Sequence, residues 1–156
     1  MATLRSSTKA PSRRAYIGSA RFVTGGTRMS IDENKAVVRR FLTAISSGGD
    51  IDLIDELVAP NYVNRGMGDV DLAGFKAMLS GMQAASDLEI KDLVGEGDVV
   101  VLRCTMNITL ASGKKVSARA LTYYRLADGR IVEDDTMTTP DLTQILGDAM
   151  PATAGP

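Results

Sequence analysis

An Asp128-Gly129 pair between two runs of β-formers, LTYYRLA and RIVEDDT, narrows what this chain can become more than any other feature. A type I′ turn needs positive φ at both central residues, so Asp-Gly flanked by such runs predicts a β-hairpin. The second strand carries Glu133, Asp134 and Asp135 in a row. Carboxylates turned into an apolar interior are expensive, so at least one must face water or line a polar cavity. The carboxylate run is therefore the first place to look for chemistry.

The strands before the hairpin follow the same period. From Val99 to Leu110, Val100, Leu102, Cys104, Met106, Ile108 and Leu110 alternate with Val101, Arg103, Thr105, Asn107 and Thr109, the pattern of a half-buried antiparallel strand. Leu88, Ile90, Asp92 and Val94 alternate with Glu89, Lys91 and Leu93 in another strand, and Gly95 to Asp98 and Ala111 to Lys114 supply the turns between.

The first half of the chain has a helical period instead. Ser30 followed by Glu33 is a capping box, and Val37, Val38, Phe41, Leu42 and Ile45 form one apolar stripe that Gly48-Gly49 ends. Asp52 is expected to cap a second, short helix carrying Leu53, Ile54, Leu57 and Val58 and ended by Pro60. Asn61 to Arg65 reads as a short strand with Tyr62 and Asn64 on one face. A third helix from Asp71 carries Leu72, Phe75, Leu79 and Met82 on one side. Helices followed by strands, with a short closing segment at 141–146, predict an α+β fold with three N-terminal helices on a curved, mainly antiparallel sheet.

Composition removes whole classes of chemistry. With no histidine, a Ser-His-Asp triad, a Cys-His pair and a histidine-ligated zinc are all excluded. One cysteine, Cys104, excludes an internal disulfide framework and multi-cysteine metal sites; in an apolar strand it reads as a packed thiol. Neither a GxxxxGK[ST] loop nor a strand-borne GxGxxG occurs. The expectation is a protein without metal or cofactor, whose acid–base work falls to Asp, Glu, Tyr, Lys or bound water.

The net charge of −1 hides a division. Residues 1–28 hold six basic side chains and no acidic one, so the rest of the chain carries −7. An acidic body argues against nucleic acid as a partner. No apolar run approaches the ~20 residues that span a bilayer, so no membrane partner is expected either, and the expected location is the cytoplasm. Residues 1–28 read as a disordered basic extension, residues 29–148 as the folded domain and 149–156 as a flexible tail. The extension has the composition of an organellar transit peptide; the other reading is a start upstream of a genuine one at Met29.

ENKAVVRRFLTAISSGGDIDLIDELVAPNYVNRG, LVGEGDVVVLRCTM, YYRLADGRIVEDD and LTQILGD occur in that order. With these words the chain resembles the SnoaL-like polyketide cyclases of the nuclear transport factor 2-like superfamily from about Asp32 to Asp148. The resemblance implies a cone-shaped α+β barrel around an apolar pocket, often a homodimer through its sheet. It leaves the reaction open among cyclases, dehydratases, isomerases, epoxide hydrolases and binding modules.

Where the anthracycline-type cyclases place a histidine and an aspartate on the two sides of the Asp-Gly turn, an ungapped match puts Thr122 and Thr136. A hydroxyl cannot replace a carboxylate base, so Asp134, one inward step from Thr136, is the candidate acid–base group. Limonene epoxide hydrolases use Tyr-x-Asn and Arg-x-Asp pairs with a further aspartate; here Tyr62-x-Asn64 and Arg103 match, while Thr105 stands at the paired aspartate. Tyr62, Asn64, Arg103, Thr122, Tyr124 and Thr136 are thus the candidate substrate-binding residues. Two functions follow: a cofactor-independent cyclase or isomerase acting on an apolar, polyketide-like ligand, or a non-catalytic dimeric binding domain.

Overall fold

In the computed structural model, which describes residues 28–46, 48–81, 84–141 and 144, three helices pack on one six-stranded mixed sheet. The expected extension up to residue 27, the tail, Met82 of the expected third helix and most of the closing segment lie outside the described residues. Helix α1 (Ile31–Ile45) starts as its sequence dictates: Glu33 N donates to Ser30 Oγ (3.2 Å) and Ser30 N to Glu33 Oε2 (2.7 Å). Ser30→Ala removes half of this box and is expected to lower stability by about 1 kcal/mol, read from the midpoint of a urea transition.

Asp50, not Asp52, caps the next turn, because its Oδ1 is the acceptor that reaches Asp52 N. A 3-10 turn (Ile51–Leu53) leads into α2 (Ile54–Leu57), and the chain is already extended at Val58. Pro60 therefore lies inside strand β1 (Val58–Asn64), between the paired positions Val58 and Val63, where no ladder hydrogen bond needs its missing N–H. Asp71 falls in the two-residue strand β2 (Val70–Asp71), and its Oδ1 accepts from Gly74 N at the start of α3 (Leu72–Gly81).

The sheet runs β2-β1-β6-β5-β4-β3, with β3 Ala84–Glu96, β4 Val99–Leu110, β5 Lys115–Ala127 and β6 Arg130–Thr139. The β5–β6 hairpin turns at Asp128 (φ 48°) and Gly129 (φ 76°), the positive pair that its turn type requires. β1 joins β6 in parallel, so the N-terminal half is stitched to the far side of the hairpin. That one pairing makes the sheet mixed.

Two bulges alter the simple alternation. In β3, Ile90 pairs with Cys104 and Asp92 with Arg103, which leaves Lys91 as the extra residue. Beyond it the faces exchange: Leu93 turns inward and Val94 is 58% exposed, the reverse of the unbroken alternation. In β6, Leu126 pairs with Ile131 and Arg125 with Glu133, so Val132 is extra. An unbroken period would point Ile131 and Glu133 the same way; the bulge instead buries Ile131 and Asp134 together.

The core fills the space between the helices and the sheet. Phe41 of α1 stacks on Phe75 of α3 (6.1 Å between centroids) and meets the Tyr124 ring edge-on (6.0 Å). Tyr62 tilts against Phe75 at 5.6 Å. The inward set of β4 is the Val100, Leu102, Cys104 face, which decides that Arg103 and Thr105 lie on the opposite face.

Candidate active site

The carboxylate run divides by strand face. Glu133 pairs with Arg65 (3.4 Å) and Arg125 (3.7 Å), Asp135 is exposed, and Asp134 turns in and is only 3% exposed. Its place is held from the backbone, where Asp134 O accepts from Arg65 N at 2.7 Å beside the Asn64–Asp134 pairing of β1 and β6. Gly66 follows, and it must be glycine: a Cβ there would stand 2.7 Å from the backbone N and O of Thr136.

A chain of hydrogen bonds sets the protonation of this corner. Met67 N donates to Asn64 Oδ1 (2.9 Å), so the Asn64 amide nitrogen is the atom that faces Tyr62. Asn64 Nδ2 donates to the Tyr62 hydroxyl (3.2 Å), and that hydroxyl, having accepted, donates its own proton to Asp134 Oδ2 (2.7 Å). Oδ1 of Asp134 is buried and has no hydrogen-bond partner. Burial pushes the Asp134 carboxyl up to about 6; the Tyr62 bond opposes the shift, and the Asp135 and Glu133 charges add to it. Tyr62 is itself raised above its ordinary range, first by burial and then by the Asp134 charge, so it holds its proton.

Tyr62→Phe removes the one side-chain donor that the Asp134 carboxylate has among the described residues. The Asp134 pKa should then rise further, moving the acidic limb of a kcat/KM profile upward by roughly one pH unit. A limb that stayed in place would show that Tyr62 does not act on Asp134.

Asp134 opens into an apolar cavity of about 110 Å³ between α1, α3 and the sheet. Phe41, Phe75, Tyr124, Leu102, Met78 and Met106 supply much of its wall. Polar groups are few: Asn64, Ser86, Thr122, Thr136 and the Tyr124 hydroxyl share the lining with Asp134, and the two threonine hydroxyls lie 3.0 Å apart across β5 and β6. Burial raises the Tyr124 hydroxyl well above its usual value. Cys104 also faces the cavity, its thiol pushed up by burial. Cys104 reads from sequence as a packed thiol, and an alternating strand gives no sign of where a core wall becomes a pocket wall.

Two candidate ligand contacts lie off the lining of this cavity. Arg103 is on the outer face of the sheet, where its guanidinium pairs with Asp92, because its neighbours Leu102 and Cys104 take the inward positions. Tyr62 is not among the residues that line the cavity and reaches it through its hydrogen bond to Asp134. Asn64, Thr122, Tyr124, Asp134 and Thr136 are brought together at the cavity. Among the described residues no group of three or more Cys, Asp or Glu side chains is arranged to hold a metal ion. No helix among them is long and apolar enough to cross a membrane.

Helices closed over one face of a curved sheet, around an apolar cavity with a single buried carboxylate, define the cone-shaped α+β class of pocket proteins. The SnoaL-like domain pattern matches residues 38–134, and the chain belongs to that family. IdmH of Streptomyces antibioticus, a proposed polyketide cyclase, is 25% identical with a TM-score of 0.59 over 73% of this chain and 98% of its own. TsrD of Streptomyces laurentii (22%, TM-score 0.62, 77% and 98%) shares the fold. So does an LEH-like epoxide hydrolase of M. tuberculosis (20%, TM-score 0.60, 76% and 92%). Among curated proteins none matches the chain in sequence.

Proposed function

We propose that this protein is a cofactor-independent enzyme of the cyclase or isomerase type, acting by acid–base catalysis on a small polycyclic or polyketide-like molecule. The observation that carries the reading is Asp134, a buried carboxylate with one oxygen held by Tyr62 and the other unpaired in an apolar cavity. At neutral pH a carboxyl with a pKa of about 6 is mostly ionised yet basic enough to take a proton from carbon next to a carbonyl. Oδ1 accepts that proton, Tyr62 holds Oδ2 in place, and the Thr122 and Thr136 hydroxyls or the Asn64 amide meet the developing oxyanion. The proton then returns from Oδ1 to the product.

One arrangement favours a second reaction within the same reading. Tyr62, Asn64 and Asp134 form a connected cluster; an ionised Oδ1 can take a proton from a water as that water forms a C–O bond to an epoxide carbon, the ring C–O bond breaks, and the proton passes from Oδ1 to the released oxygen. A panel of polyketide-like ketones and epoxides tests both, with Asp134→Asn as the catalytic variant and the exposed Asp135→Asn as the control. If the two variants behave alike, or no panel member is turned over, the non-catalytic binding domain replaces the enzyme.

The proposal includes a homodimer formed through the outer sheet face. Leu121 and Met137 are paired across β5 and β6 and are 43% and 64% exposed there. Sedimentation equilibrium giving a monomer at micromolar concentration would reject that assembly.

A further inference from the structure

Among the described residues the cavity is lined by a single carboxylate and by no cation. Basic side chains on the surrounding elements are engaged elsewhere: Arg103 with Asp92 on the outer face, Lys76 with Asp55, and Arg65 with Asp69 and Glu133. An anionic ligand would enter against the Asp134 charge, in surroundings where few dipoles soften the repulsion. Its carboxylate or phosphate would also lose water without gaining an ion pair. A hydroxyl does the opposite, since Asp134 Oδ1 is a buried acceptor with no donor. One hydroxyl proton is spent between the neighbouring Thr122 and Thr136 side chains, and among the described residues neither hydroxyl donates to Oδ1.

From these observations we propose that the site selects by charge: its ligand is an uncharged ring compound that offers a hydroxyl proton to Asp134 Oδ1, and free acids and phosphates are rejected. This rests on the cavity being the functional site and deepens that reading by naming the substrate class. Asp134 is then both the reacting group and the specificity determinant. Phe41, Phe75 and Tyr124 supply apolar ring walls, set at angles to one another, against which the ligand ring packs.

Naphthylmethanol and naphthoate are matched probes, since they share the ring and differ in the charge of one substituent. Titrated calorimetrically at neutral pH, wild-type protein should bind the alcohol about tenfold or more tightly than the acid. Asp134→Asn should shrink that preference to within about threefold, because the repelling charge is gone while the shape is kept. Met67→Lys, at the half-exposed rim of the cavity, should raise affinity for naphthoate and so reports even where the Asn variant folds poorly. Equal binding of the two probes to wild type, no binding of the alcohol, an unchanged preference in Asp134→Asn, or no gain in Met67→Lys would each overturn the proposal. Turnover plays no part in these readings. A preserved charge preference without any catalysis would therefore sink the enzymatic reading alone, and catalysis without the preference would sink this one alone.

Discussion

Asp134→Asn is expected to lower turnover by a factor on the order of 10²–10⁴ and, at neutral pH, to make the protein more resistant to urea. The two effects have one cause. A carboxyl at about 6 in the folded protein against 3.8 when free is one whose burial the fold resists. Its folded pKa is raised, so its contribution to stability is fully present below the unfolded value and is lost as pH rises through about 6. By neutral pH that loss is on the order of 2–3 kcal/mol.

Asn carries no charge to desolvate, and its side-chain oxygen still accepts from Tyr62; its amide hydrogens, however, meet the apolar cavity unpaired. A net gain of about 1–2 kcal/mol at neutral pH is therefore expected, vanishing or reversing below about pH 4, where wild-type Asp134 is protonated. Urea transitions of both proteins across that range measure it. A variant less stable than wild type at neutral pH would show that the native charge is compensated in place.

Phe41→Ala should cost about 3–5 kcal/mol in the same measurement. Phe41 is 1% exposed and holds α1 to both Phe75 and Tyr124, so its removal leaves a void that the stiff sheet on one side cannot fill. Against a native stability commonly of about 5–15 kcal/mol, that is enough to unfold part of the population and to collapse the cavity. Arg103→Ala, on the exposed outer face and paired with Asp92, should stay within about 0.5 kcal/mol and leave turnover unchanged. A loss of activity there would mean that the outer face contributes to the site after all.

Features set by neighbouring residues were legible in the sequence. The hairpin at Asp128-Gly129, the Ser30–Glu33 box, the apolar stripe of α1 and the alternation of β4 depend on contacts within a few positions, so residue type and spacing determine them. The Tyr62-Asn64 pair was legible for the same reason, because strand geometry alone puts i and i+2 on one face. The capping aspartate was missed by two positions because Asp50 and Asp52 are equally good caps on paper, and only the path of the turn chooses between them.

What sequence alone determined, then, is a set of amphipathic elements in order, a family, and a short list of polar candidates on them. Which face of the sheet would be concave was beyond it, since an alternating strand is the same pattern from either side; helices packing on the Leu102-Cys104 face decided that Arg103 is outside and Asp134 inside. The bulges at Lys91 and Val132 are likewise tertiary: each inserts one unpaired residue because the sheet must bend around the core, and a one-residue slip exchanges the faces beyond it. The contact that defines the site, Tyr62 to Asp134, joins residues 72 apart through the parallel pairing of β1 with β6. No local preference encodes such a bond; it exists because packing brought two strands from opposite ends of the chain side by side.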